Sequence, residues 1–134
     1  MFKLAGLFIL GLYSSCCFIS CTKKNVPSVT YFIVRVDSIS VPDSIPRTDT
    51  LRVKFYGTIG NDGSYSFDRF EAERSAHNLS LAVWGRRTDM DLAPQVLIEL
   101  RGKEYPVSTL YPGLFKINIL QPDSTYLRDS VVVH

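Results

Sequence analysis

Cysteines stand at positions 16, 17 and 21 and nowhere else in the chain. A thiolate can ligate a metal, attack a carbonyl or form a disulfide, and each use needs a partner group. Zinc needs cysteine or histidine pairs at ligand spacing, and the only histidines, His77 and His134, supply none. A Ser-His-Asp arrangement would need His77 held by a carboxylate, but Ser75-Ala76-His77-Asn78 reads as a solvated turn. Glu71 and Glu73 alternate onto one face of an extended segment, about 7 Å apart, a separation two hydrolytic carboxylates could use. With Arg69 and Arg74 beside them, a charged solvent face is the simpler reading. Asp89 and Asp91 could offer paired oxygens to calcium, but the twelve-residue calcium-loop pattern is missing. No catalytic residue is assigned, and neither a metal nor any other cofactor is expected.

An aromatic set is the better binding candidate. Trp84 is the sole tryptophan, and it shares an alternation face with Ser80, Ala82 and Arg86, opposite Leu79, Leu81 and Val83. If the leucine face is the core, the indole lies on the sheet surface beside Arg86 and Arg87. There it could stack on a sugar ring or grip a protein partner. The competing arrangement buries Trp84 in the core of a sandwich whose strand is shifted by a bulge. Tyr56, on the polar face of another strand, is the second aromatic that parity places outside.

These residues need elements to position them, and composition narrows the choice. The chain has 134 residues, 46% hydrophobic and 21% charged, with a formal net charge of +2. That balance provides no basic patch for nucleic acid. Beyond Cys21 no thiol remains, so no disulfide framework can form there. The N-terminus differs from the rest. Lys3 precedes the apolar run Leu4 to Leu12, followed by the small residues Ser14, Ser15 and Ser20, in the order of an export signal. A retained anchor competes, because Leu4 to Thr22 carries no charge and at about 1.5 Å per residue nearly spans a ~30 Å hydrocarbon core.

Phe18-Ile19-Ser20-Cys21 resembles the lipobox of bacterial lipoproteins. In that family a small residue precedes a cysteine whose sulfur takes a diacylglyceryl group, and cleavage makes that cysteine the first residue. Ser20 and Cys21 match, and Phe18 stands where leucine is usual. Tyr13-Ser14-Ser15-Cys16 fits the same pattern less well. The resemblance implies that residues 1–20 are a signal peptide and that Cys21 is the lipid attachment site. Because Thr22 rather than aspartate follows, it also implies the outer membrane of a Gram-negative envelope. One acyl chain gives only marginal binding, at about 0.8 kcal/mol per buried methylene, whereas two or more hold a protein firmly. Residues 21–28 then form a lipidated cysteine and a polar tether, whose Lys23 and Lys24 would favour anionic headgroups.

From residue 29 onward, period-2 alternation dominates. Thr30 to Val41 alternates with Phe32, Val34 and Val36 on one side, and Pro42 and Pro46 break it. Leu51, Val53, Phe55, Gly57 and Ile59 form the cleanest apolar face, with Arg52, Lys54, Tyr56 and Thr58 opposite. Gly60 to Ser64 is a turn cluster. Further strands are expected over Ser64 to Glu73, Leu79 to Gly85, Gln95 to Arg101, Glu104 to Val107, Leu114 to Leu120 and Tyr126 to Val133, with Arg87 to Pro94 as a loop. Phe67, Phe70 and Arg74 have helical spacing, but Ser64 to Glu73 is read as a strand.

Tyr111-Pro112-Gly113 leading Leu114 to Ile119, then Gln121-Pro122-Asp123 leading Val131 to Val133, resembles the last two strands of immunoglobulin-like β-sandwich domains. The cysteine pair of antibody domains is missing, so only the architecture carries over. The expectation is therefore all-β: an immunoglobulin-like β-sandwich of seven or eight antiparallel strands over residues 29–134, after the signal peptide and tether. Its expected role is that of a non-catalytic binding or structural module at the envelope. The lipid holds it to the membrane, and its partner is another envelope protein or a glycan. Trp84, Tyr56 and Arg86 are the candidate binding residues.

Overall fold

A computed structural model describes residues 26–134. The expected signal peptide, the expected lipid site Cys21, and Lys23 and Lys24 of the expected tether lie outside the described residues. Every regular element among the described residues is a strand. In chain order these are β1 Val29–Ile33, β2 Ser38–Ser40, β3 Ser44–Ile45, β4 Leu51–Tyr56, β5 Thr58–Gly60 and β6 Tyr65–Ser75. They continue as β7 Asn78–Thr88, β8 Ile98–Glu99, β9 Lys103–Val107, β10 Gly113–Leu120 and β11 Tyr126–Val133.

One sheet has the order β1-β7-β10-β11-β3, with β6 on the other edge of β7. The second layer is β2-β4-β9, continued by the pair β5-β8. A single core lies between them. Leu51, Val53 and Phe55 of β4 share it with Leu79, Leu81 and Val83 of β7, Phe115, Ile117 and Ile119 of β10, and Val131 and Val133 of β11. Each set is an i, i+2 series, so pleat geometry alone sends these side chains inward.

The first strand changes layer. β1 pairs with β7 and β2 pairs with β4. Between them the Val34 amide donates to the Val83 carbonyl and the Asp37 amide to the Tyr56 carbonyl. Val34 and Val36 are buried at this crossing, as their alternation predicts.

The strand count and direction correct the expectation of seven or eight antiparallel strands. Eleven strands form among the described residues: two expected ones are interrupted, and Ser44–Ile45 adds β3 in the stretch where Pro42 and Pro46 were expected to break the strand. The crossing separates β1 from β2. Gly57 separates β4 from β5 at a point where an added Cβ would sit 2.6 Å from the Arg35 carbonyl oxygen. Arg101 and Gly102, at φ of 49° and 75°, separate β8 from β9, a backbone region open to few residues besides glycine. The expected strand over Gln95 to Arg101 contracts to β8, and Gln95, Val96 and Leu97 before it are exposed. β7 runs on to Thr88, into the stretch expected as loop, because β1 and β6 supply hydrogen-bond partners along both of its edges.

Two pairings are parallel, β7 with β10 and β3 with β11. Between β7 and β10 the chain crosses to the other layer as β8 and β9. A strand reached by such a crossover can return in the same direction, which a hairpin cannot do.

The helical spacing of Phe67 and Phe70 has a β-sheet cause. In β6, Phe67 pairs with Gly85 and Arg69 with Trp84, so Asp68 is an extra residue without a counterpart. This is a β-bulge, and it reverses the side-chain parity of everything that follows. Phe67 and Phe70 therefore both face inward, with ring centroids 4.9 Å apart, and Phe70 meets Phe55 at 5.1 Å.

Candidate functional site

The parity of β7 carries the site. Leu79, Leu81 and Val83 point into the core, so Ser80, Ala82, Trp84 and Arg86 share the outer face. Trp84 is half-buried there rather than in the core. The bulge exists, but in β6, and the residue it re-aims is Arg69. Cross-strand pairing sets Ile33 of β1 on one side of Trp84 and Arg69 of β6 on the other.

The Arg69 guanidinium lies over the indole, 5.1 Å from its centroid, and 5.9 Å from the Tyr31 ring centroid. The same guanidinium pairs with Asp68 and lies 3.8 Å from a Glu71 carboxylate oxygen. It is thus held between two π faces and two carboxylates, an arrangement in which cation–π attraction and charge pairing act together. The Trp84 Nε1 is buried without a protein acceptor. Arg86 extends the patch. It pairs across the ladder with the exposed Tyr31, and its Nε donates to Ser66 Oγ at 3.4 Å.

Trp84 and Arg86 thus belong to one surface, completed by Tyr31 and Arg69. Tyr56 does not join them. It projects from β4 with Arg52 and Lys54 on the outer face of the second layer, where an added Cβ at Gly102 would lie 3.2 Å from its hydroxyl. The sandwich core separates the two aromatics.

No protein-family model, curated protein or solved structure matches this chain. Its function must therefore be argued from its own surfaces.

Arg69 and Tyr31 were not singled out by the sequence. Tyr31 could have been, because it alternates with Val29 and Ile33, away from the side of Phe32 and Val34. Arg69 was expected only as part of a charged solvent face with Glu71 and Glu73. Its place opposite Trp84, while Phe67 and Phe70 both face inward, depends on the bulge.

The groups weighed for catalysis are dispersed. His77 is exposed in the β6–β7 turn, and its carbonyl accepts from the Lys116 amide at 2.9 Å. Glu71 and Glu73 lie on the outer face with Ser80 and Ala82, lining a shallow hollow closed by Leu120 and Tyr126. Asp89 accepts from the Ser28 hydroxyl. Asp62 accepts from both the hydroxyl and the amide of Ser64, and these bonds hold its carboxyl below the usual carboxylate range. No cluster of acidic, histidine or cysteine side chains able to hold a metal occurs among the described residues.

Proposed function

We propose that this chain is an envelope lipoprotein, anchored through Cys21, whose sandwich is a non-catalytic binding module. Its contact surface is the outer face centred on Tyr31, Arg69, Trp84 and Arg86. The observation that carries this reading is the guanidinium seated between the Trp84 and Tyr31 rings. Tryptophan, tyrosine and arginine are the residue types that dominate protein-interface energetics. Here they are pre-ordered on a rigid sheet, so little freedom is lost when a partner arrives.

A protein partner is favoured over a glycan. A sugar ring stacks on an open aromatic face, and Arg69 covers one face of this indole. The β10–β11 hairpin holds the segments that resemble the closing strands of immunoglobulin-like domains, which supports placing the sandwich in that class.

Two measurements test the proposal. Mass spectrometry of the mature N-terminus should find a diacylated or triacylated Cys21, and an intact Met1 would refute the anchor. A photo-crosslinking amino acid at Tyr31, in the native cell, should give one discrete protein adduct that disappears with Arg69→Glu. If no adduct forms and added glycan instead quenches Trp84 emission, the partner is a glycan.

A further inference from the structure

The loop between β7 and β8 is held at two points. At its start, the Asp89 amide donates to the Ser28 carbonyl at 3.0 Å, and the Ser28 hydroxyl bonds the Asp89 carboxylate. Further on, the Gly63 amide donates to the Pro94 carbonyl at 2.8 Å. Gly63 is needed at that contact, since an added Cβ would lie 2.5 Å from the Pro94 ring. Between the two points the chain arches outward. Leu92 at its crest is 92% exposed and Met90 is 53% exposed. Val96 and Leu97 follow, both exposed. Asp89 and Asp91 line a depression with Arg87 and Asp62, together with Val26, Pro27 and Ser28.

An arch fixed at both feet, with a leucine in water at its crest, is not explained by the core beneath it. Its position is informative. The described chain begins at Val26, beside Met90, Asp91 and Ala93. Cys21 precedes Val26 by five residue steps, at most ~18 Å of fully extended chain. Lys23 and Lys24 fall in that interval and suit an anionic headgroup layer. The other end of the body, with the β6–β7 turn at Ala76 and His77, is the length of β7 away: 11 residues, about 36 Å at ~3.3 Å each.

We infer that Met90, Leu92, Val96 and Leu97 form a second contact with the lipid surface. It would insert beside the anchor and set the body upright, with the Trp84 face turned sideways. The inference rests on the proposed lipid at Cys21. Apolar side chains that enter the headgroup boundary add to an acyl anchor and also fix orientation, which an acyl chain alone cannot do.

The test uses the mature lipidated protein in vesicles containing lipids brominated on their acyl chains, which quench tryptophan on contact. In a Trp84→Phe background, Leu92→Trp should lose emission and shift to the blue on these vesicles. Ala76→Trp should do neither. If both variants sediment with the vesicles and the Leu92→Trp emission stays unquenched, the loop contact is refuted while the anchor stands. If the mature protein carries no lipid, the anchor reading falls. The loop is then tested by coupling Cys21 to a maleimide lipid in the same vesicles. Quenching of Leu92→Trp would still support the contact, and its absence would refute it.

Discussion

The side-chain amide of Gln121 binds both peptide groups of Val36, a residue 85 positions earlier: the Val36 amide donates to Oε1 at 3.0 Å, and Nε2 donates to the Val36 carbonyl at 2.8 Å. Val36 lies where the chain leaves one layer for the other, between β1 and β2. Gln121 follows directly on β10 and is buried. Its amide has the same donor and acceptor as a peptide, so it takes the place of a neighbouring strand at this crossing.

Replacing Gln121 with alanine leaves an amide and a carbonyl of Val36 buried without partners, each costing about 1–3 kcal/mol. Gln121→Ala should therefore lower stability by about 2–6 kcal/mol. Urea unfolding, followed by Trp84 emission, measures it. A midpoint equal to that of the parent would show that water or backbone movement replaces the glutamine.

Deleting Asp68 removes the bulge, and Phe67 and Phe70 can then no longer both face inward. One ring must leave the core, at a cost of about 3–5 kcal/mol if it resembles a phenylalanine-to-alanine change. Asp68→Ala keeps the residue count and loses only a surface ion pair, worth under about 1 kcal/mol. Thermal unfolding of the two variants separates register from charge. Equal stabilities would mean that the bulge has no role in placing the two rings.

Arg69→Ala uncovers the indole. Trp84 emission should move to the red, and acrylamide should quench it more readily than in the parent. The stability loss should be about 0.5–1 kcal/mol, the range for a solvent-accessible cation–π pair. Arg69→Lys should recover part of the emission shift, because an ammonium keeps the charge without the planar stack. An unchanged spectrum in Arg69→Ala would contradict the stacked geometry.

Acid should loosen two turns. Hydrogen bonds from the Ser64 hydroxyl and then its amide hold the Asp62 carboxyl below its ordinary value of 3.8, and Thr125 does the same for Asp123. A carboxylate with a depressed folded pKa stabilises the fold above its unfolded value, and that contribution is lost as pH falls through the folded value. Stability should therefore decline below about pH 4, and Asp62→Asn should remove part of that slope. Carbon-13 titration of the two carboxyls measures the direction. A midpoint above 3.8 for Asp62 would overturn the assignment.

Much of the fold could be read directly from the chain. Leu51 to Ile59, Leu79 to Val83, Phe115 to Ile119 and Tyr126 to Val133 alternate as strands and are strands, because the period of 2 is a local property of extended backbone. The same local rule placed Trp84 and Arg86 together on an outer face. What alternation could not supply was anything that depends on which strand lies beside which. The bulge at Asp68 gives Phe67 and Phe70 a spacing that resembles a helix, and it sets Arg69 opposite Trp84. The parallel pairing of β10 with β7 and the bond from Gln121 to Val36 both join segments far apart in the chain. Such contacts form only once the two layers have closed over a shared core, so their register is set by packing and by satisfaction of buried peptide groups rather than by any local pattern of residues.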